Sequence, residues 1–157
     1  MIKFYDTSSL LALGKLPEEI FAVSDITLQE LEEIKDSNKK TDDIRAKARI
    51  LAKQFFTAEN YILCKYKPIE EVKMSINNDT KILASAIRYK NRTNNEVIFV
   101  TNDICLFVIA KLHFQKVETV EYKADDYTGY KELSLSNEEL AKFYSKPNEY
   151  AEELLLN

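Results

Sequence analysis

The chain has 157 residues, 45% hydrophobic and 31% charged, with 2 Gly and 3 Pro. That length suits one domain whose core needs no disulfide staple, and so few Gly and Pro exclude collagen-like, linker-rich and many-hairpin architectures. The formal net charge of -4, from 22 basic and 26 acidic residues, taken alone argues against a nucleic-acid partner, because phosphate binding favours a basic surface.

Ile2 to Tyr5 is a short apolar run that stops at Asp6, and Ser8 to Leu13 predicts a helix closing near Gly14. Phe21 to Ile26 is a second strand candidate. Thr27-Leu28-Gln29-Glu30 then has the form of a capping box, predicting a helix that runs to about Lys35. Asp36 to Thr41 reads as a polar loop. From Asp42 onward Ile44, Ala48, Leu51, Ala52, Phe55 and Phe56 recur at helical spacing, and Tyr61 to Lys65 reads as a short strand. Asn77-Asn78-Asp79 opens another helix with Ile82, Leu83, Ala86 and Ile87 on one face. Glu96 to Val100 is almost continuously apolar, as in a strand buried on both faces of a parallel sheet. Thr101-Asn102-Asp103 ends it, Ile104 to Leu112 is helical, and Lys116 to Tyr122 alternates like a last strand. Ser136-Asn137-Glu138-Glu139 is a second capping-box form, starting a helix to about Tyr144, and a final short helix is expected from Asn148 to Leu155.

No apolar run approaches the roughly 18–20 residues of a membrane span, and the first residues carry no signal-peptide pattern. Cys64 and Cys105 stand in different elements and read as small core hydrophobes, and the one histidine, His113, reads as structural. Without Cys pairs at ligand spacing a structural zinc site is not expected. A reducing, cytoplasmic setting follows from the same cysteine usage.

Strands alternating with helices imply an α/β fold with right-handed crossovers around a parallel sheet. Asp6 and Asp103 end two of the strands. Glu30 and Asp79 are expected in the first turns of helices. In a parallel sheet, strand carboxyl ends and the helix N-termini that follow share one edge, where ligands bind. Four acids from distant segments are therefore candidates for one cleft. Clustered carboxylates repel unless a cation holds them, and Mg2+ and Mn2+ take such oxygen ligands. That chemistry activates water against a phosphodiester and needs neither His nor Cys. Each acid also has a purely structural role open to it. Glu30 suits the capping box, Asp79 and Asp103 suit helix dipoles, and Asp6 suits a turn.

The segments carrying these acids resemble PIN-domain nucleases, and among them the N-terminal PIN domain of PhoH-like proteins. The matching stretches are Lys3-Phe4-Tyr5-Asp6-Thr7-Ser8-Ser9-Leu10-Leu11, Ile26 to Lys35 with Glu30, Asn78-Asp79-Thr80-Lys81-Ile82-Leu83-Ala84, and Val100-Thr101-Asn102-Asp103-Ile104-Cys105-Leu106. Ala124-Asp125-Asp126-Tyr127 with Gly129-Tyr130 is similar to the short tail of the PhoH-like group. The resemblance spans roughly residues 1 to 130. It implies a three-layer α/β/α sandwich around a parallel sheet of about five strands, with residues 131–157 as a helical tail on the same domain. It further implies a Mg2+- or Mn2+-dependent ribonuclease with Asp6, Glu30, Asp79 and Asp103 as metal-binding and catalytic acids. Thr101 would support the cluster, and Ser8 stands where Asn is common. No Walker A pattern occurs in the chain, so the ATPase half of PhoH-like proteins is not represented here.

The charge is unevenly distributed. From Lys35 to Lys67 nine basic residues face four acidic ones, about +5. From Glu118 onward ten acids face four lysines, about -6. Arg49 matches an Ala-Arg pair of the PhoH-like pattern and Lys35 ends the helix of Glu30, which makes these two the candidate substrate contacts. Tyr122, Tyr127, Tyr130, Tyr144 and Tyr150 in the acidic stretch suit either base stacking or tail packing. Single-stranded RNA is the expected substrate, with DNA open, because aromatic stacking serves unpaired bases. Other readings stay open: a non-catalytic PIN-like RNA-binding or scaffold module, the toxin of a toxin–antitoxin pair, or a structure-specific DNA nuclease. A homodimer, an antitoxin and a separate ATPase are the partner classes left open; a membrane is not among them.

Overall fold

The computed structural model describes residues 1–69 and 76–121. The two helices expected after residue 135, the 131–157 tail and the 124–130 motif lie outside the described residues.

The elements alternate as the sequence predicts. They run β1 (Ile2–Tyr5), α1 (Thr7–Leu13), β2 (Phe21–Ser24), α2 (Asp25–Lys35), α3 (Asp42–Thr57), β3 (Tyr61–Cys64), α4 (Asn78–Thr93), β4 (Val97–Val100), α5 (Ile104–Ala110) and β5 (Lys116–Glu118). The strands form one sheet in the order β3-β2-β1-β4-β5, and every pairing is parallel. β1 is central, with Tyr5 opposite Val23 on one side and Val100 on the other.

The five-stranded parallel sheet carries helices on both faces, as expected for a PIN-like α/β sandwich. Alternation along the strands divides the core in two. Phe4, Ala22, Val97 and Phe99 pack against Ile82, Leu83, Ala86 and Ile87 of α4 and Leu106 and Ala110 of α5. Tyr5, Phe21, Val23, Ile98 and Val100 pack against Leu10 of α1, Leu31 of α2, and Ala48, Leu51 and Phe55 of α3. Strand β4 is buried at all four positions, which is why its sequence is unbroken Val-Ile-Phe-Val.

Three local readings need correction. Helix α2 begins at Asp25, capped by the Ser24 hydroxyl, which accepts from the Ile26 N–H. Thr27 therefore lies inside the helix and is fully buried, so the Thr27–Glu30 capping box does not form and Glu30 sits in the second turn. Helix α5 stops at Ala110 and β5 at Glu118, both short of their expected ends. Cys64 packs half-buried against the core on the α4 face, but Cys105 is exposed and is not a core hydrophobe. Among the described residues no helix is long and apolar enough to cross a membrane.

Candidate active site

Asp6 follows directly on β1 and caps α1. Its backbone N–H continues the sheet by donating to the Val100 carbonyl at 3.1 Å. Its side chain is 1% exposed and is surrounded by donors. The Ser9 N–H reaches Oδ1 at 2.9 Å, the Ser8 hydroxyl lies 2.9 Å from both oxygens, and the Thr101 hydroxyl donates to Oδ2. Burial pushes the carboxyl up from 3.8 to about 6, against the pull of those hydrogen bonds.

Ser8 and Thr101 do more than hold Asp6. The Ser8 hydroxyl accepts from the Asn102 N–H at 2.9 Å, and the Thr101 hydroxyl accepts from the Asp103 N–H at 3.0 Å. The loop after β4 is thus locked to the loop after β1. Asp103 caps α5, its Oδ1 accepting from the Leu106 N–H at 2.9 Å.

Glu30 reaches the same edge from the second turn of α2. Its Oε1 accepts from the Thr7 hydroxyl at 2.7 Å, and that hydroxyl also lies 3.1 Å from the buried Thr27 hydroxyl. Asp79 stands in the first turn of α4, whose start is fixed by a capping box between Asn77 and Thr80. Its carboxyl is raised by partial burial first, and then by the charges of Asp103 and Glu30.

All four acids named from sequence therefore lie on the carboxyl edge of the sheet, and the charges of two of them, Asp103 and Glu30, reach Asp79. The donors are oxygens, which suits a hard divalent cation. Among the described residues no group of three or more His, Cys, Asp or Glu side chains is already drawn together as a metal cage.

The two substrate candidates lie elsewhere. Lys35 ends α2 and pairs with Glu32 at 2.8 Å, which raises its ammonium pKa. Arg49 donates to the Lys35 carbonyl at 3.0 Å. At 1.5 Å per residue, Lys35 is about 7 Å along the helix axis from Glu30. His113 sits in the turn after α5, and its carbonyl accepts from the Lys90 ammonium.

Two residues at this edge escaped the sequence reading. Thr7 is the partner of Glu30, and its position beside Asp6 at a helix start was the only available signal. Asn102 uses its side-chain amide as a strand would use its backbone, donating to the Val120 carbonyl and accepting from the Val120 N–H, both at 2.8 Å. No periodicity reveals such a contact.

No curated protein matches the chain. A family profile described as PIN domain matches residues 5–123, well over half of the chain and inclusive of all four acids. The chain belongs to the PIN domain family, a nuclease-type fold.

Proposed function

We propose that the protein is a Mg2+- or Mn2+-dependent endoribonuclease that hydrolyses phosphodiester bonds of single-stranded RNA at the edge formed by Asp6, Glu30, Asp79 and Asp103. What supports this reading is the position of four acids from four separate elements at one sheet edge, where burial first and then the charges of Asp103 and Glu30 raise the Asp79 carboxyl. A carboxylate half-buried beside like charges is a cost that a bound cation would relieve. When bound, the ion supplies water activation and charge stabilisation in an in-line displacement.

The protein's own residues would supply placement. Asp103 and Asp79 offer carboxylates at helix starts, Thr7 aims Glu30, and Ser8 and Thr101 keep Asp6 fixed. A phosphate contact at Lys35 or Arg49 would displace the Glu32 pair or the Lys35 carbonyl. Membership of the PhoH-like subgroup is part of this proposal, on the resemblance of Asn78-Asp79-Thr80-Lys81-Ile82-Leu83 and Thr101-Asn102-Asp103 to its motifs. The two free thiols suit a reducing, cytoplasmic setting.

The test is cleavage of end-labelled single-stranded RNA and DNA with Mg2+, with Mn2+ and with excess chelator. RNA cleavage that needs the metal and vanishes in Asp103→Asn supports the reading. Undiminished cleavage in chelator or in that variant overturns it. Mn2+ titration calorimetry separates the enzyme from a non-catalytic RNA-binding module, which would take up no ion at millimolar concentration.

A further inference from the structure

The basic residues counted in the sequence divide into two populations in space. On the α2–α3 hairpin the cations are mostly committed. Lys35 pairs with Glu32, Arg45 with Asp42 and Lys47 with Asp43, while Arg49 holds the Lys35 carbonyl. Along α4 the difference is in carboxylate pairing, since Arg88 and Lys90 also donate to carbonyls. Lys81, Arg88 and Arg92 recur at i, i+7 and i+11, which places them on one helix face. Lys65 joins them from the end of edge strand β3, where Arg88 lies 3.4 Å from its carbonyl. Among the described residues none of these four cations forms an ion pair with a carboxylate. Burial chiefly raises the Cys64 thiol in this groove; Arg88 and Arg92 pull it down, and Asp25 adds a smaller rise. Asp25 itself accepts from the Tyr66 N–H at 2.9 Å.

Three of the four, Lys65, Arg88 and Arg92, line an open cavity of about 410 Å³ between β3 and α4, with Cys64 and Ser85 also in its wall. Lys81 stands outside that wall, in the first turn of the same helix. Lys81 is two residues beyond Asp79, and its ammonium is held over the Tyr66 ring at 5.7 Å from the centroid. From Lys81 to Arg92 the helix advances about 16 Å, enough for several backbone phosphates.

We propose that the groove between β3 and α4 is the path of the single-stranded nucleic acid as it leaves the carboxylate edge, with Lys81, Lys65, Arg88 and Arg92 contacting successive phosphates. The choice of occupant rests on the nuclease reading above. The groove itself rests on a cavity whose wall carries Lys65, Arg88 and Arg92, none of them ion-paired among the described residues, along the helix that opens with Asp79. A lone acidic edge would repel the substrate backbone, and a cationic track beside it offsets that repulsion.

The test is fluorescence anisotropy with labelled single strands of about 12 nucleotides, in RNA and DNA arms, with EDTA present so that binding is read without cleavage. The double variant Lys65→Gln/Arg92→Gln removes two exposed cations and is checked for folding by circular dichroism. It should weaken RNA binding by about fivefold or more, and lower the slope of log affinity against log salt by about 1.4. The variant Lys39→Gln/Lys53→Gln, on the hairpin, should bind as the parent does. Equal binding by the parent and the α4 variant, equal loss in the hairpin variant, or binding of an acidic peptide in place of either nucleic acid overturns the proposal. Intact, α4-dependent binding without cleavage in any metal would overturn the proposed reaction and leave the groove standing.

Discussion

Asp6 and Asp79 carry the same side chain at the same sheet edge, and both are harder to ionise than a free aspartate, but for different reasons. Asp6 lies in a closed shell of hydroxyls and one N–H, so its cost is desolvation and its hydrogen bonds only partly offset it. Asp79 lies in an open half of the edge, where the charges of Asp103 and Glu30 add to its burial. The closed half is a fixed point built by the fold. The open half is a set of like charges that a ligand must complete. Divalent binding should therefore depend on both halves, whereas the stability of the metal-free protein should be penalised by each.

The largest expected effect comes from the open half. Asp103→Asn or Asp79→Asn should cut cleavage by about a hundredfold or more, since each removes a carboxylate from a site that works through charge. Circular dichroism should be unchanged. Asp6→Asn should be equally inactive, yet it should differ in stability. A carboxyl at about 6 in the folded state against 3.8 unfolded stabilises the fold below the unfolded value and loses that contribution as pH rises towards 6. The Asn variant escapes this loss. Its advantage over the metal-free parent should grow between pH 4 and pH 6.5 to about 3 kcal/mol, read by denaturant melts at each pH. A flat difference across that range would remove the distinction between the two halves.

Thr7→Val comes next, because it frees Glu30 without removing it. Cleavage should fall about tenfold and the Mn2+ midpoint should move to higher concentration, with Thr7→Ser restoring both. If Val and Ser behave alike, the hydroxyl has no positioning role. The smallest effect is expected at Asn102→Ala, where two hydrogen bonds to Val120 are lost at about 1 kcal/mol each. Stability should drop with cleavage changed little, measured by thermal melts alongside the same assay.

How much of this was readable in advance depends on which interaction fixed each element. The strand–Asp6–helix unit and the buried β4 strand were legible because hydrophobic period and helix caps are local signals. The parallel sheet followed from their alternation, and with it the placement of the four acids at one edge. The start of α2 was misjudged because two capping signals overlap there, Ser24 and Thr27. Tertiary contact selects between them, since Thr27 is fully buried with its hydroxyl against Thr7. Charge along the chain pointed to the α2–α3 segment as the phosphate surface. The structure ties Lys35, Arg45, Lys47 and Arg49 to residues three or four positions away or to the opposing helix, while Lys81, Arg88 and Arg92 on α4 have no carboxylate partner among the described residues. Counting charge in sequence records its sum and not its partners.

The central place of β1 has a consequence for the timing of folding. Asp6 and Thr101 are 95 residues apart in the chain and in hydrogen-bond contact in the fold. β1 pairs with β4 through long-range registers such as Ile2 with Val97. Such non-local pairing forms late and all at once, because the loop must close before any contact rewards it. During synthesis, at about 5–20 residues per second, a nascent chain that lacks β4 has no shell around Asp6 and no Asp103. The carboxylate edge comes into being only when β1 and β4 have paired, so a half-made chain beside its own messenger carries no assembled acid site.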